Sequence, residues 1–414
     1  MKITIVACGL YLEIAVSLCA QPMTVEQAVS YAIINNPEVQ QATAELQATK
    51  AIRWNALLPE NPEFYVEYEG LRGQHIDWNH DGERKTGIIQ QIDFPLSYYY
   101  QSQRQRLEIK RQAFKFAQVR LNLVCDVKTK FYEMLKLQQQ IQNVDELYRL
   151  TAELQRKAEK RVELGDATAY EALKMQVELA EVDNYRSQLK QSTHLAQREF
   201  NMLLGRSAYD SVIVTGDFRF RRIVINEDSV TQLVVTNHPE LQSLRLARHQ
   251  KSADYTLAWF NLLPRIGVNY FQQRFPDPAD SHAWGVEIGL SIPIWSLFKE
   301  RGQIKAAKYQ MEATQFQLAS RRSVLRLEID RAYHHMEIAA EQVTNWQTNL
   351  MPAADELVRI ATRSYEEGEM AYWEVIEALR TMFRARNQYA ETLFQYYQKS
   401  FELDRLAGFQ DDKN

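Results

Sequence analysis

The feature that most constrains the fold is a run of about 69 residues, Leu96 to Leu164, that contains neither proline nor glycine. As one α-helix this run would extend roughly 100 Å at 1.5 Å per residue. That length is several times the diameter of a small domain, so such a helix cannot be buried in one compact core. Only 14 glycines and 11 prolines occur among the 414 residues, which predicts long helices through most of the chain.

The composition excludes several classes of protein. The mean hydropathy of −0.43 argues against a bundle of transmembrane helices, and the net charge of −4 argues against a nucleic-acid-binding chain. Three cysteines cannot build a disulfide framework or a cysteine zinc site. The sequence contains no glycine-rich phosphate loop, GxSxG motif or HExxH motif. It therefore predicts no enzyme, no cofactor and no metal site.

Residues 1–20 have the pattern of a secretory signal peptide, in which Lys2 precedes an apolar stretch and small residues precede Gln21. Cleavage is expected after Ala20. Two alternatives stay open, a lipid on Cys19 and an amphipathic first helix. Removal of this segment would leave Cys125 as the one cysteine, in a helical pattern that favours an inert packed residue.

The chain consists of two copies of one plan, residues 21–205 and 229–408, joined by a linker at 206–228 and followed by a tail at 409–414. Five landmarks recur in the same order at nearly one spacing: Asn36-Pro37-Glu38 with His238-Pro239-Glu240, Leu57-Leu58-Pro59 with Leu262-Leu263-Pro264, Phe94-Pro95-Leu96 with Ile292-Pro293-Ile294, Gly165 with Gly368, and Leu204-Gly205 with Ala407-Gly408. Such recurrence indicates an internal duplication.

Each copy is predicted to contain a half-length helix, a β-hairpin, a long helix and a second half-length helix. The helical stretches are 24–58, 96–164 and 167–204 in the first copy and 229–262, 295–367 and 370–407 in the second. The hairpins occupy 62–95 and 264–294. Two half-length helices placed end to end would therefore extend over the same length as one long helix.

Apolar residues in the long helices alternate in steps of four and three, the spacing of a coiled coil. We call these positions the seam: Met134, Leu137, Ile141, Val144, Tyr148, Thr151, Gln155, Ala158 and Val162 in the first copy, and Leu325, Ile329, Ala332, Met336, Ala339, Val343, Trp346, Leu350, Ala353, Leu357 and Ile360 in the second. Val375, Met382, Tyr389, Tyr396 and Leu403 mark one column of the last helix. Pro352 is expected to kink or restart its helix.

The two hairpins have the alternation of membrane-facing β-strands. Val286, Ile288, Leu290 and Ile292 alternate with Glu287, Gly289 and Ser291, and Phe64, Val66 and Tyr68 alternate with Tyr65, Glu67 and Glu69. An apolar face opposite a polar one is typical of a barrel strand between lipid and a water-filled lumen. A soluble half-buried hairpin is the alternative. Four strands cannot close a transmembrane barrel, whereas a trimer would supply twelve.

These features resemble the TolC-like outer-membrane efflux proteins over residues 24–408. The residues that carry the resemblance are Asn36-Pro37-Glu38, the two Leu-Leu-Pro motifs and Pro293. The most specific motif is Ser364-Tyr365-Glu366-Glu367-Gly368, followed by Trp373-Glu374-Val375-Ile376-Glu377-Ala378. The family pattern there is a tyrosine, a turn glycine, and two acids three residues apart at a helix start.

The resemblance implies a mainly α fold with a small β part. A long coiled-coil α-barrel would continue into a transmembrane β-barrel assembled from a homotrimer with four strands per chain. The protein would lie in the outer membrane of a Gram-negative-type cell, with a large periplasmic part. The lipid-facing strand would be the one that carries Val286, Ile288, Leu290 and Ile292.

The resemblance also implies roles for the two turns between helices. Gly165, Asp166, Gly368 and Glu369 would form tips that meet a periplasmic adaptor, also called a membrane fusion protein. Glu374, Glu377, Glu171 and Tyr365 match residues that line or close the periplasmic aperture. Met370 stands where well-known relatives carry a basic gating residue, so the way in which this aperture closes is left open.

The implied function is that of an outer-membrane channel-tunnel in a tripartite efflux system. It would passively conduct drugs or metal ions from an inner-membrane pump of the RND or ABC type, with a slight preference for the heavy-metal branch. Two alternatives remain at this point. One is the conduit of a type I protein-secretion system, and the other is a periplasmic coiled-coil scaffold that forms no channel.

Overall fold

A computed structural model of the chain describes residues 22–69, 82–224, 236–275, 281–292 and 299–408. The predicted signal peptide at 1–20, Pro293 at the predicted start of the second long helix, and the tail at 409–414 lie outside these ranges. Within them the chain forms two compact units. Unit 1 contains residues 22–36, 126–222 and 337–398, and unit 2 contains the other described residues.

The described residues are predominantly helical. Eight α-helices have the bounds α1 Val25–Asn35, α2 Pro37–Ala51, α3 Pro95–Glu163, α4 Ala169–Leu204, α5 Pro239–Phe260, α6 Lys299–Asn345, α7 Met351–Glu366 and α8 Tyr372–Ala407. A 3₁₀ turn at Ile52–Ala56 follows α2, and a π-helical turn at Trp346–Leu350 joins α6 to α7. Among the helices of the described ranges, none is both long enough and apolar enough to span a bilayer.

Unit 2 contains one antiparallel sheet of four strands, β1 Glu63–Glu69, β2 Glu83–Ile92, β3 Arg265–Arg274 and β4 His282–Ser291. Their order in the sheet is β1-β2-β3-β4, so the pairing of β2 with β3 joins the two predicted hairpins. The predicted mainly α fold with a small antiparallel β part is confirmed.

The first helical stretch is not continuous, contrary to the prediction of one helix over 24–58. Thr24 caps α1 through a capping box with Gln27. Asn36 then adopts an extended conformation, with φ −67° and ψ 127°, because the ring of Pro37 disfavours the α conformation in the residue before it. α2 starts anew at Pro37 and ends before the 3₁₀ turn.

The predicted seam is correct as far as Val343 and wrong beyond it. Leu325, Ile329, Ala332, Met336, Ala339 and Val343 are buried. From Leu350 onward, however, the seam residues Leu350, Ala353, Leu357 and Ile360 are exposed, and Ala354, Ala361 and Tyr365 of α7 are buried instead. The π-helical turn adds one residue to the helical repeat and rotates the buried face by one position. The predicted restart at Pro352 is confirmed, because Pro352 lies in the first turn of α7.

The rotated face leaves a cavity of about 830 Å³ beside the π-helical turn in unit 1. Trp346, Leu350 and Leu357 line it from one side, and Tyr185 and Phe383 from the other. The rings of Tyr185 and Phe383 meet edge to face at 5.6 Å. The seam of the second copy is therefore interrupted at this point rather than continuous.

The Asn-Pro-Glu and His-Pro-Glu motifs make corresponding contacts in the two units. In unit 1 the amide Nδ2 of Asn36 donates to the carbonyl oxygen of Leu203 at 2.9 Å. In unit 2 His238 is buried and hydrogen-bonds to the backbone of Arg405. Each side chain thus satisfies the C-terminal turn of a half-length helix, whose last carbonyls lack helical partners.

Burial lowers the pKa of His238, and the nearby charge of Arg321 lowers it further, against the opposing effect of Glu240. In the unfolded chain the histidine pKa is about 6.5. Between those two values the unfolded state binds the additional proton, so stability is lost as pH falls below about 6.5. We expect His238→Asn, which reproduces the contact of Asn36, to lose less stability between pH 7.5 and 5.5 than the wild type, as measured by urea unfolding. A difference in unfolding free energy that is independent of pH would contradict this assignment.

Candidate functional site

The turns between α3 and α4 and between α7 and α8 have the same hydrogen bonds. The N–H of Gly165 donates to the carbonyl of Val162, and that of Gly368 donates to the carbonyl of Tyr365. One residue later, the N–H of Asp166 donates to Arg161 and that of Glu369 to Ser364. This pattern is the one that closes helix C-termini around a left-handed residue.

Both glycines adopt the left-handed conformation, with φ of 82° at Gly165 and 78° at Gly368. A Cβ atom at either position would meet no atom within 4 Å. The requirement for glycine therefore comes from the backbone conformation alone, at a cost of about 1 kcal/mol for any other residue.

The helices that follow the two turns start with opposite halves of a capping box. At the start of α4, the hydroxyl of Thr168 accepts from the N–H of Glu171 at 3.4 Å. At the start of α8, Ala371 has no such hydroxyl. The carboxylate of Glu374 reaches back instead and accepts from the N–H of Ala371 at 3.0 Å. The predicted aperture residue Glu374 therefore caps its own helix.

Tyr365, the predicted closing residue, is buried near the end of α7. The guanidinium of Arg161 lies 5.5 Å from the centre of its ring. A hydrogen bond with Tyr365 is the main reason why the pKa of Arg161 is raised above its ordinary value. Nearby, the ammonium of Lys157 pairs with Glu366 at 2.8 Å. These contacts join the end of α3 to the end of α7.

Glu377 has partners of its own in the chain. Its carboxylate lies 3.1 Å from Arg380 and 4.0 Å from Arg384. Among the described residues, Glu377 and Glu374 have no hydrogen-bond or ion-pair partner in common. The structure of one chain thus places the predicted aperture acids near the same turn without joining them.

The sequence analysis did not predict an ion pair between α4 and α8, which lies roughly two helical turns beyond the start of each helix. The guanidinium Nη2 of Arg380 on α8 donates to both carboxylate oxygens of Glu178 on α4, at 2.7 and 2.6 Å. The side chain of Glu178 is only 5% exposed. Arg380 also lies 3.6 Å from Glu181, and Lys174 lies 3.4 Å from Glu178. With Glu377, these residues form a cluster that we call the Arg380 network.

Partial burial of Arg380 acts to lower its pKa. Hydrogen bonds and charges from Glu178 and Glu377 outweigh that effect and raise it. The Arg380 network contains three carboxylates and, with Arg384, three basic groups, so its charges balance. The sequence did contain a signal, because Glu178 lies three residues after Met175 on the buried face of α4.

One face of the sheet in unit 2 is apolar and exposed. Along β4, Trp284, Val286, Ile288 and Leu290 all point to this face, and Ile288 is 71% exposed. The register continues the face across the other strands with Phe64, Val66, Ile88, Ile266, Val268 and Tyr270. A continuous apolar surface on a single sheet, exposed in the described chain, marks contact with lipid or with another protein.

The opposite face of the sheet is polar and hydrogen-bonded. Asn269 is buried there and donates to the hydroxyl of Tyr65 at 2.8 Å and to Glu287 at 3.2 Å. Lys85 lies 3.9 Å from Glu287 and 4.0 Å from the centre of the Phe271 ring. The sheet therefore has the apolar and polar faces that the sequence predicts.

Two aromatic rings on this polar face lie directly over glycines. A Cβ atom at Gly87 would be 2.8 Å from the ring of Tyr65, and one at Gly285 would be 2.6 Å from the ring of Phe271. Glycine at these two positions lets each ring lie against the bare backbone of the neighbouring strand.

Comparison with known proteins agrees with this geometry. Residues 230–409 match the model of the outer membrane efflux protein family. The chain is also 22% identical over 398 residues to the cobalt-zinc-cadmium resistance protein CzcC of Cupriavidus metallidurans, which covers 94% of this chain and 91% of that protein. The later part of the chain, residues 230–409, thus carries the features of the outer membrane efflux protein family.

Solved structures of similar fold include two with which the chain overlaps almost completely. CusC has a TM-score of 0.78 at 17% identity, covering 93% of this chain and 92% of that chain. The CmeC outer membrane channel of Campylobacter jejuni has a TM-score of 0.81 at 15% identity, covering 94% and 87%. The predicted family and the predicted outer-membrane location are confirmed.

Proposed function

We propose that this protein is the outer-membrane channel-tunnel of a tripartite efflux system, with a periplasmic adaptor and an inner-membrane pump of the RND or ABC type. The single observation that carries the proposal is the four-stranded sheet with one uncovered apolar face and one polar face. A sheet of this kind suits lipid on one side and a water-filled lumen on the other.

The sheet also requires further strands. β1 and β4 are its edges, and an unpaired edge within lipid would cost several kcal/mol for each unsatisfied backbone group. Three copies would supply twelve strands and bring β1 of one copy to β4 of the next. Two copies would supply only eight strands, and side chains fill the interior of a barrel of that size. The homotrimer is therefore the smallest symmetric assembly with more strands than the smallest transmembrane barrels.

In this arrangement the Gly165 and Gly368 turns are the periplasmic tips, and Glu171, Glu374, Glu377 and Tyr365 surround the aperture. The Arg380 network supports a closed aperture without a basic residue at Met370, because Arg380 joins α8 to α4 through Glu178. Glu377 would then face the lumen as a partly neutralised group, and Glu374 as a carboxylate that accepts a backbone hydrogen bond.

Metal ions are the favoured cargo. The support is the overlap, along almost the full length of both chains, with a protein named for resistance to cobalt, zinc and cadmium. A second relative, named for pyoverdine export, matches at 23% identity but covers 70% of this chain and 62% of that protein. If genes beside this one encode a protein-secretion ATPase rather than a proton-driven pump, the cargo is a secreted protein.

The partnership predicts that the tips touch the adaptor. We expect a cysteine introduced at Asp166 or at Glu369 to crosslink to the periplasmic adaptor in living cells, because both residues follow the turn glycines directly. Crosslinked products are identified by mass spectrometry. The matched control is a cysteine at Gly289, an exposed position on the polar face of the sheet, which should give no adaptor product. An adaptor product from the Gly289 variant alone would reverse the proposed orientation, and a soluble monomeric wild-type chain would favour the scaffold.

A further inference from the structure

The last part of the second seam carries apolar side chains on two different faces. Ala354, Ala361 and Tyr365 are buried against the rest of unit 1. The other face is exposed and holds the seam positions that the π-helical turn displaced, which we call the α7 row: Leu350, Ala353, Leu357 and Ile360. A helix that is apolar on more than one face is normally covered on each of them, so we expect the α7 row to be covered in the assembled protein.

α4 has an exposed apolar face of the same kind just after the Gly165 turn. Its residues are spaced by three and four, as in a coiled coil, and we call them the α4 row: Tyr170, Leu173, Val177 and Ala180. Met175 and Glu178, on a different side of α4, are buried. Neither row contains a charged residue.

The two turns of unit 1 lie at the same height along the helices. Glu178 is thirteen residues after Gly165, and Arg380, to which it is hydrogen-bonded, is twelve residues after Gly368. Residues equally far from the two turns therefore lie level with each other, to within about one helical rise of 1.5 Å.

The α4 row and the α7 row match in height. Leu173 is eight residues after its turn glycine, and Ile360 is eight residues before the other one. Ala180 and Ala353 are each fifteen residues away. α4 starts at its turn and α7 ends at its turn, so the helices run in opposite directions and the two rows have the same order from the turns outward.

Within one chain these rows are not joined. Among the described residues of unit 1, no hydrogen bond or ion pair links α4 to α7. Each of the two helices is linked instead to α3 and to α8, by the ion pairs Arg186–Asp145 and Arg380–Glu178 for α4 and Lys157–Glu366 and Arg386–Asp355 for α7. α4 and α7 are therefore the outer helices of the unit, with α3 and α8 between them.

We propose that the α4 row of one copy packs against the α7 row of the next copy in the homotrimer. The inference rests on the proposed function, which supplies the trimer. A ring of identical chains joins two different surfaces at every contact, and rotation about an axis along the helices leaves each residue at its height. Leu173 of one copy would therefore meet Ile360 of the next, and Val177 would meet Leu357, in an antiparallel coiled-coil contact.

The cavity beside the α7 row has a charge that suits the same partner. Arg384 of α8 lines the cavity, is 71% exposed, and lies 4.0 Å from its ion-pair partner Glu377. The acid that lines the cavity, Glu391, is paired with Lys136 at 3.1 Å. Glu181, at the edge of the α4 row, is as many residues beyond its turn as Arg384 is beyond the other turn. A second copy thus matches this surface both in height and in charge.

The test is disulfide crosslinking of the full-length protein, oxidised in cells before purification. Among the described residues Cys125 is the one native cysteine, and it is buried. Leu173→Cys with Ile360→Cys in one chain should give covalent dimers and trimers on a non-reducing gel. Copies with Leu173→Cys alone, co-expressed with tagged copies that carry Ile360→Cys alone, should give mixed dimers and no dimers of like copies.

The matched control is Leu173→Cys with Leu350→Cys, which uses the same two rows at heights that differ by ten residues. That offset is about 15 Å, whereas a disulfide requires Cα atoms within about 7 Å, so the control should give no product. Four results would each overturn the contact: dimers from Ile360→Cys alone, a disulfide within one chain, a product of Ile360→Cys with a different protein, or no product from the double variant.

Leu357→Glu provides a second measurement. It places a charge in the α7 row, so the fraction of chain recovered as trimer should fall at least about tenfold. Glu356→Gln changes the adjacent exposed position and should alter that fraction by less than about twofold; equal fractions for the two variants would also overturn the contact. The mass of the wild type in detergent separates the two levels of failure. A monomer refutes the trimer of the proposed function, whereas a trimer without the Leu173–Ile360 crosslink refutes only this contact.

Discussion

Ile288→Arg is expected to destabilise the membrane-inserted protein by about 2–4 kcal/mol, because it places a charge on the exposed apolar face of β4. Adding Val286→Arg on the same face should roughly double the loss. The measurement is denaturant unfolding of the protein in lipid vesicles, with the folded fraction read from gel mobility.

The matched control is Gly289→Arg. Gly289 follows Ile288 in the same strand and points to the polar face, and a Cβ atom there would meet no atom within 4 Å. Because the arginine would enter the water-filled side, we expect little loss of stability. Equal destabilisation by Ile288→Arg and Gly289→Arg would mean that lipid does not cover the apolar face.

Arg380→Met is expected to destabilise unit 1 by about 3 kcal/mol. The substitution leaves the carboxylate of Glu178 buried without its two short hydrogen bonds, and Lys174, at 3.4 Å, is a partial replacement. The double variant Glu178→Met with Arg380→Met should recover most of that loss, because an apolar pair of similar volume removes the buried charge altogether. The free energy of unfolding measures both effects.

An exposed ion pair in the same unit provides the control. Arg363 lies 2.9 Å from Glu367 one turn away, and both side chains are at least half exposed. Arg363→Met should cost less than about 0.5 kcal/mol. If Arg380→Met costs no more than Arg363→Met, the Arg380 network does not hold α4 and α8 together.

Those parts of the structure that depend on local pattern could be predicted from the sequence. Strict alternation from Trp284 to Leu290 fixes which side chains share a face, because the side-chain period of a strand is two. The turn glycines Gly165 and Gly368 were recognisable because each interrupts a long stretch free of glycine and proline. Both adopt the positive φ that glycine permits.

The positions of the second seam that are buried beyond the π-helical turn could not be predicted in this way. Leu350, Leu357 and Ile360 continue the heptad in the sequence, and the added residue of the π-helical turn leaves the apolar pattern unchanged. The one local signal is Pro352, which has no N–H to donate to the turn before it. The sequence predicts a disturbance at that point but not the direction in which the face rotates.

Contacts between distant segments were also beyond the sequence. The position of Glu178 on the buried face of α4 predicts a basic partner, but the sequence offers several neighbouring arginines. Only the packing of α4 on α8 shows that the partner is Arg380. The pairing between the two hairpins of the sheet is a second such contact. Arg84 and Arg274 belong to different hairpins, and only the pairing of β2 with β3 brings them side by side.

The rings over Gly87 and Gly285 have a consequence for the cross-section available to cargo. A tyrosine or phenylalanine that projected from the polar face would narrow the passage, whereas Tyr65 and Phe271 lie flat in shallow recesses that only glycine leaves open. Lys85 and Glu287 lie in the register rows on either side of these rings and present their charges on the same face. In the proposed channel the two glycines would therefore set how far the rings project into the passage, while Lys85 and Glu287 would contribute its charge.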